Sequence, residues 1–238
     1  MSWARSALFN LAFYAWTAFC LLATTPTLVL PRRVVVWCME RWSAGVQALM
    51  RRIVGIELEI SGREHLPTGG YIVASKHQSA FDTLVFHTAV RDPAMVMKRE
   101  LTWIPLYGWF SRKAGMIAVD RSGGAAALKR LLKDARAAKA RGQPIVIFPE
   151  GTRVAPGAHR PYQPGVVALY RDLELPVVPV ALDTGLYWPR RSFLRKPGTM
   201  RLRFLPPIPP GLARKAFEAE LERRIETACR ELLGTARR

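Results

Sequence analysis

Two short stretches of the chain carry side chains whose types and spacing could do chemistry: His77-Gln78-Ser79-Ala80-Phe81-Asp82 and Phe148-Pro149-Glu150-Gly151-Thr152-Arg153. The first places an imidazole five positions ahead of a carboxylate, the pair needed for a base whose tautomer is held by a partner. The second closes an apolar run with a carboxylate, a glycine and a guanidinium. Glycine there lets backbone approach a ligand closely, and a guanidinium offers forked donors to phosphate. Together the stretches suggest a proton-abstracting group beside an anion clamp. Ser79 is accounted for by helix capping, and no other Ser or Cys is placed as an obvious nucleophile, so direct attack by a substrate hydroxyl is expected rather than a covalent intermediate on the protein.

On one continuous helix His77 and Asp82 would sit about 140° apart and could not meet. Contact requires His77 in the turn after a strand over 71–75 and Asp82 in the first turn of the next helix. Ser79 and Asp82 have the capping-box spacing ahead of Leu84, Val85 and Phe86, which supports that break. Asp82 could instead serve only as a cap, because a carboxylate oxygen given to a backbone N–H is withheld from imidazole; the spacing leaves both roles open. Lys98 and Arg121 end two further apolar runs, so Lys98, Arg121 and Arg153 could converge on one phosphate from three strand ends. Glu150 could steady Arg153 or bind a substrate hydroxyl. Gly123-Gly124 lacks the full phosphate-loop pattern.

Short apolar runs at 71–74, 94–97, 116–119, 145–148 and 177–180 read as strands covered on both faces, and 53–60 alternates as a half-buried strand through Ile56, Leu58 and Ile60. Between them 122–141 reads as a helix, with Leu128, Leu131, Leu132 and Ala135 at helical spacing, Ser122 as its cap and Gly142 as its end. Past Pro206, Pro207, Pro209 and Pro210, 212–233 predicts an amphipathic helix packed on the core. The alternation predicts an α/β layer structure with ligands at the carboxyl ends of strands, where His77, Arg121 and Glu150 fall.

A chain of 238 residues suits one α/β domain with an appendage, expected as membrane-associated helices over 1–52 and a catalytic domain over 53–238. Residues 7–30 carry no charge and as a helix would reach about 36 Å, against about 30 Å for a bilayer core. Asn10 and Pro26 weaken this reading, and a secretory leader behind Arg5 competes with it. Arg32, Arg33, Arg41, Arg51 and Arg52 place the downstream domain on the cytoplasmic side, and 34–50, interrupted by Glu40 and Arg41, suits an interfacial helix. The net charge of +18 calls for anionic partners; half the residues are apolar and seven are Trp, which favours a membrane over nucleic acid. Cys20, Cys38 and Cys229 suggest no disulfide framework, and His65, His87 and His159 lack metal-ligand spacing, so no metal is expected.

With 98–108, 115–121 and Val178-Pro179-Val180-Ala181-Leu182, the two motifs follow the order found in the glycerolipid acyltransferases, which the chain resembles over 72–182. The resemblance implies a glycerol-3-phosphate acyltransferase-like fold: an α/β domain with a mixed, largely parallel sheet flanked by helices, and an N-terminal membrane-inserted helical segment, spanning or confined to one leaflet. It implies acyl transfer from acyl-CoA or acyl carrier protein to a glycerolipid hydroxyl, nearest to the subfamily that converts lysophosphatidic acid to phosphatidic acid at the inner membrane's cytoplasmic face. By position, His77 is the base, Asp82 its partner, Glu150, Gly151, Thr152 and Arg153 belong to the acceptor site, and Lys98 and Arg121 match phosphate positions. No cofactor is implied; the partners are lysophosphatidic acid, the thioester donor and anionic membrane lipids, with no nucleic acid. One departure is Lys76, where the family commonly has Asn; its ammonium would disfavour an imidazolium unless it points away. The alternatives are acylation of another lysolipid, such as a lyso-ornithine lipid, and a basic membrane- or nucleic-acid-binding protein without catalysis.

Overall fold

The computed structural model describes residues 2–236. Its seven strands are β1 Ile56–Ser61, β2 Ile72–Ser75, β3 Ala94–Lys98, β4 Ile117–Val119, β5 Ile145–Ile147, β6 Val177–Leu182 and β7 Gly198–Phe204. They lie in the order β1-β7-β6-β2-β5-β3-β4, and β6 with β7 is the antiparallel pair in an otherwise parallel sheet. The apolar runs of β2, β5 and β6 sit at or near the centre and are buried at every position, as expected of strands covered on both faces.

Side chains alternate across the sheet and so feed two cores. On one face Ile72, Ala74, Ile145 and Ile147 pack under α5 (Gly124–Ala140), α6 (Pro164–Leu173) and α7 (Arg214–Ala236). On the other, Val73, Val146 and Val178 pack with Phe9 of α1 (Ser2–Thr24), Val46 of α2 (Arg32–Leu49) and Phe81, Val85 and Phe86 of α3 (Phe81–Ala89). The short α4 (Tyr107–Ala114) joins α2 through Val35, Met39, Phe110 and Ala114. The expected packing role of the last helix holds: Phe217, Leu221 and Ile225 of α7 are fully buried.

Three local readings need correction. β1 starts at Ile56 rather than Ile53, because Met50–Val54 prolong α2 as a π-helical turn. Ser122 does not cap α5; its hydroxyl donates to Asp120 Oδ1 at 2.6 Å and the N-cap is Gly123. No strand was expected at 198–204, yet Met200, Leu202 and Phe204 alternate inward there between Arg201 and Arg203, completing an amphipathic strand wedged between β1 and β6.

Helix α1 is two-sided. Ser6 and Phe9 are buried, whereas Trp3, Leu8, Leu11, Tyr14, Phe19 and Leu22 are exposed, and the stretch Trp3–Val29 is long and apolar enough to cross a membrane. Its inner side is fastened by the buried Arg195, whose guanidinium lies 4.5 Å from the Trp188 ring centroid and donates to Asn10 Oδ1 at 3.1 Å. The Arg195 backbone N–H donates to Ser6 Oγ at 2.9 Å. Asn10, out of place in an apolar run, thus has a partner in the globular domain.

Candidate active site

His77 lies just past the end of β2 and Asp82 in the first turn of α3, so the chain reverses between them and the side chains meet: Nδ1 to Oδ2 is 2.9 Å. Both are buried. The same Oδ2 accepts the backbone N–H groups of Gln78 (2.6 Å) and Ser79 (2.8 Å), while Ser79 Oγ accepts the N–H of Phe81 at 3.1 Å. The N-cap of α3 is Ala80 and carries no side-chain cap, so neither Ser79 nor Asp82 caps the helix as the spacing allowed; Oδ2 instead gathers the turn ahead of it and the imidazole together. Oδ1 accepts the Thr184 hydroxyl at 2.5 Å. With Nδ1 donating to the carboxylate, Nε2 is the nitrogen left for a substrate proton. The ring stacks on Phe148, centroids 4.2 Å apart.

The second motif holds the His77 backbone. Glu150 Oε2 accepts the His77 N–H at 3.1 Å, and the His77 carbonyl accepts the Val154 N–H at 2.7 Å. Gly151, at φ 66°, makes the tight turn between those contacts, in a left-handed conformation that other residues adopt only with strain. Glu150 does not steady Arg153, as one reading of the sequence allowed; its Oε1 forms an ion pair with Lys76 Nζ at 2.7 Å. Lys76 also contacts Glu226 Oε1 of α7 at 2.7 Å and donates to the Ala158 carbonyl at 3.2 Å. Its ammonium therefore points away from the imidazole. Burial pulls the Lys76 amine down, but the two carboxylates outweigh it and the net shift is upward. Burial likewise pushes the Glu150 carboxyl up, against Lys76 and the His77 N–H.

A cavity of about 300 Å³ opens beside His77 and is also lined by Lys98, Arg121, Thr152 and Arg153. The three expected cations and the base thus share one space. Arg121 and Arg153 have no carboxylate in ion-pair range among the described residues, whereas Lys98 Nζ is 3.0 Å from Glu100. Met39, Met95, Met97 and Met116 give the cavity an apolar side, with His87, whose imidazole burial pushes down to about 4. Glu150 and Gly151 line instead an adjoining cavity of about 580 Å³, which shares Arg121 and Phe148 with the first. Thr184, Gln78 and Glu226 were not singled out in the sequence. Gln78 bridges β6 to the following turn, donating to the Leu182 carbonyl at 3.0 Å and accepting the Gly185 N–H at 3.1 Å. Glu226 lies 150 residues from Lys76, beyond any local signal.

A carboxylate-held imidazole beside guanidinia without ion-pair partners, at the carboxyl ends of a largely parallel sheet, is an arrangement able to hold an anionic ligand beside a proton acceptor. The chain belongs to the Acyltransferase family, whose model matches residues 57–183. It is 34% identical over 197 residues to the 1-acyl-sn-glycerol-3-phosphate acyltransferase of Pseudomonas aeruginosa, covering 82% of this chain and 76% of that protein. To the 1-acyl-sn-glycerol-3-phosphate acyltransferase alpha of Mus musculus it is 28% identical, covering 84% and 71%. The crystal structure of the 1-acyl-sn-glycerophosphate acyltransferase of Thermotoga maritima shares the fold, with a TM-score of 0.80 at 22% identity over 98% of both chains.

Proposed function

We propose that the protein transfers a fatty acyl group from acyl-CoA or acyl carrier protein to the sn-2 hydroxyl of lysophosphatidic acid, giving phosphatidic acid. The observation that carries this reading is the His77–Asp82 contact of 2.9 Å on a cavity that also presents Lys98, Arg121 and Arg153. His77 Nε2 takes the hydroxyl proton as the oxygen attacks the thioester carbonyl; the tetrahedral intermediate collapses, the C–S bond breaks, and the leaving thiolate receives that proton from His77. Such a base contributes about 10²–10⁴ in rate. The cations hold the phosphate of the acceptor. Thr152 and Arg153 line the cavity and their backbone N–H groups have no backbone acceptor among the described residues, which suits them to the oxyanion.

Helix α1 packs one side on the domain and turns an apolar side outward along its length, which supports insertion in one leaflet, with Arg33 and Arg41 exposed on α2 toward anionic headgroups at the cytoplasmic face. The test is phosphatidic acid formation by the purified full chain, given lysophosphatidic acid and each thioester in turn, beside His77→Ala. Product from wild type that falls to background in the variant is the expected result. Undiminished product in folded His77→Ala removes His77 as the base, and no product with either donor removes the assigned acceptor.

A further inference from the structure

The stretch that runs from the end of β3 into the first turn of α4 is built to show apolar side chains to the outside. Trp103 is 65% exposed, Ile104 46% and Trp109 51%, large areas of unpartnered apolar surface on one short stretch. The backbone is committed to that display. Leu106 is held at φ 60°, a conformation a leucine adopts only under constraint, and a Cβ on Gly108 would overlap the carbonyl oxygen of Thr102. The turn is thus folded tightly under Trp103 and Ile104.

What surrounds the patch identifies its partner. Over 98–113 the chain carries Lys98, Arg99, Arg112 and Lys113 against the single carboxylate of Glu100; Lys98 pairs with Glu100 and Arg99 with Asp120, which leaves the positive charge of Arg112 and Lys113 unmatched by an ion pair among the described residues. Arg99 lies 5.6 Å from the Trp103 ring centroid. Tryptophan beside basic side chains is the composition of a surface that settles at the headgroup level of an anionic bilayer. The patch also continues an apolar surface. Tyr107 shares a pocket with Thr17, Cys20, Leu21 and Thr24 of α1, and Lys113 Nζ donates to the Leu28 carbonyl at 2.6 Å, so the segment lies against the far end of α1, whose Phe19 and Leu22 are exposed. On its inner side Leu101 and Tyr107 line the His77 cavity.

We infer that the segment around Trp103, Ile104 and Trp109 is a second membrane contact, separate from α1, which seats the mouth of the catalytic cavity on the headgroup layer so that a lysolipid enters without crossing water. Its role in substrate entry rests on the proposed function; its contact with lipid does not. Two measurements on the full chain keep the two apart. With Cys20, Cys38 and Cys229 replaced by alanine, an NBD label is placed at Trp103→Cys and, as a control on the opposite face, at Lys133→Cys. On phosphatidylglycerol–phosphatidylethanolamine vesicles the label at 103 is expected to shift to the blue and be quenched by shallow doxyl lipid, while that at 133 does not change. Second, Trp103→Ala with Ile104→Asp is expected to lower turnover of vesicle-borne long-chain lysophosphatidic acid roughly tenfold while sparing a short-chain acceptor dispersed as monomers. A label at 103 that stays in water on vesicle-bound protein, or one shielded by raising protein concentration without vesicles, overturns the inference, the latter in favour of a second copy of the chain. Equal loss on both acceptors overturns the entry role.

Discussion

Lys76 and Glu150 form an ion pair of 2.7 Å with each side chain 1% exposed, and the other oxygen of Glu150 accepts the backbone N–H of His77. The glutamate of the second motif therefore holds His77 through its main chain rather than reaching toward Arg153. Glu226 of α7 closes the cluster from the far side of the sheet, so the last helix is tied to the residue next to the histidine.

Removing one member of a buried pair leaves the other charged and desolvated. Lys76→Met is expected to cost about 3–5 kcal/mol in urea unfolding, and Lys76→Met with Glu150→Gln to recover a large part of it. Additive losses in the two-variant cycle would show that the pair contributes nothing beyond its separate parts.

Thr184 donates to the Asp82 oxygen that does not face His77. Thr184→Val leaves that buried acceptor without its donor, at about 1–3 kcal/mol of stability. Because the loss loosens the carboxylate that orients the imidazole, kcat is expected to fall while KM for the lysolipid is unchanged. A rise in KM with kcat intact would place Thr184 at the substrate instead.

Arg121 and Arg153 reach the cavity without a carboxylate partner among the described residues. If they hold the phosphate, Arg121→Ala or Arg153→Ala removes a charge-assisted bond of about 1.5–3 kcal/mol, a loss of roughly 10- to 150-fold in kcat/KM carried mostly by KM. Steady-state kinetics on lysophosphatidic acid check this, with a phosphate-free lysolipid in parallel. Full activity of Arg153→Ala on the phosphate-free acceptor, together with no loss on lysophosphatidic acid, speaks for an acceptor without phosphate.

The buried Asp183 and the half-buried His87 set opposing pH dependences. Burial lifts the Asp183 carboxyl from 3.8 to about 6, against the N–H and guanidinium of Arg201. Its folded value is the higher one, so the stability it contributes is complete below about pH 4 and is lost as pH rises through about 6. Burial lowers His87 from 6.5 to about 4, so its contribution is complete above about pH 6.5 and is lost as pH falls toward 4. Between pH 4 and 6 the two slopes oppose each other. Unfolding of Asp183→Asn is expected to show stability rising with pH across that window, and His87→Gln to show it falling, each by at most about 1.4 kcal/mol per pH unit. Identical slopes in the two variants would remove both assignments.

Residue order alone determined the pieces that depend on neighbours in the chain. The central strands were legible because a strand covered on both faces must be apolar throughout, and the turn between His77 and Asp82 because the capping-box spacing announces it. The grouping of His77 with Lys98, Arg121 and Arg153 was legible as strand-end positions, since a parallel sheet gathers those ends at one edge. Tertiary structure alone decided which partner each charged group took. Alternation across the sheet turns Lys76 away from His77 and toward Glu226, 150 residues distant, and the insertion of β7 beside β6 sets Arg201 against Asp183. It also decided that α1 has an inner side at all: its partners Trp188 and Arg195 come from the opposite end of the chain. Periodicity reports which face of an element is buried; only the completed packing says against what.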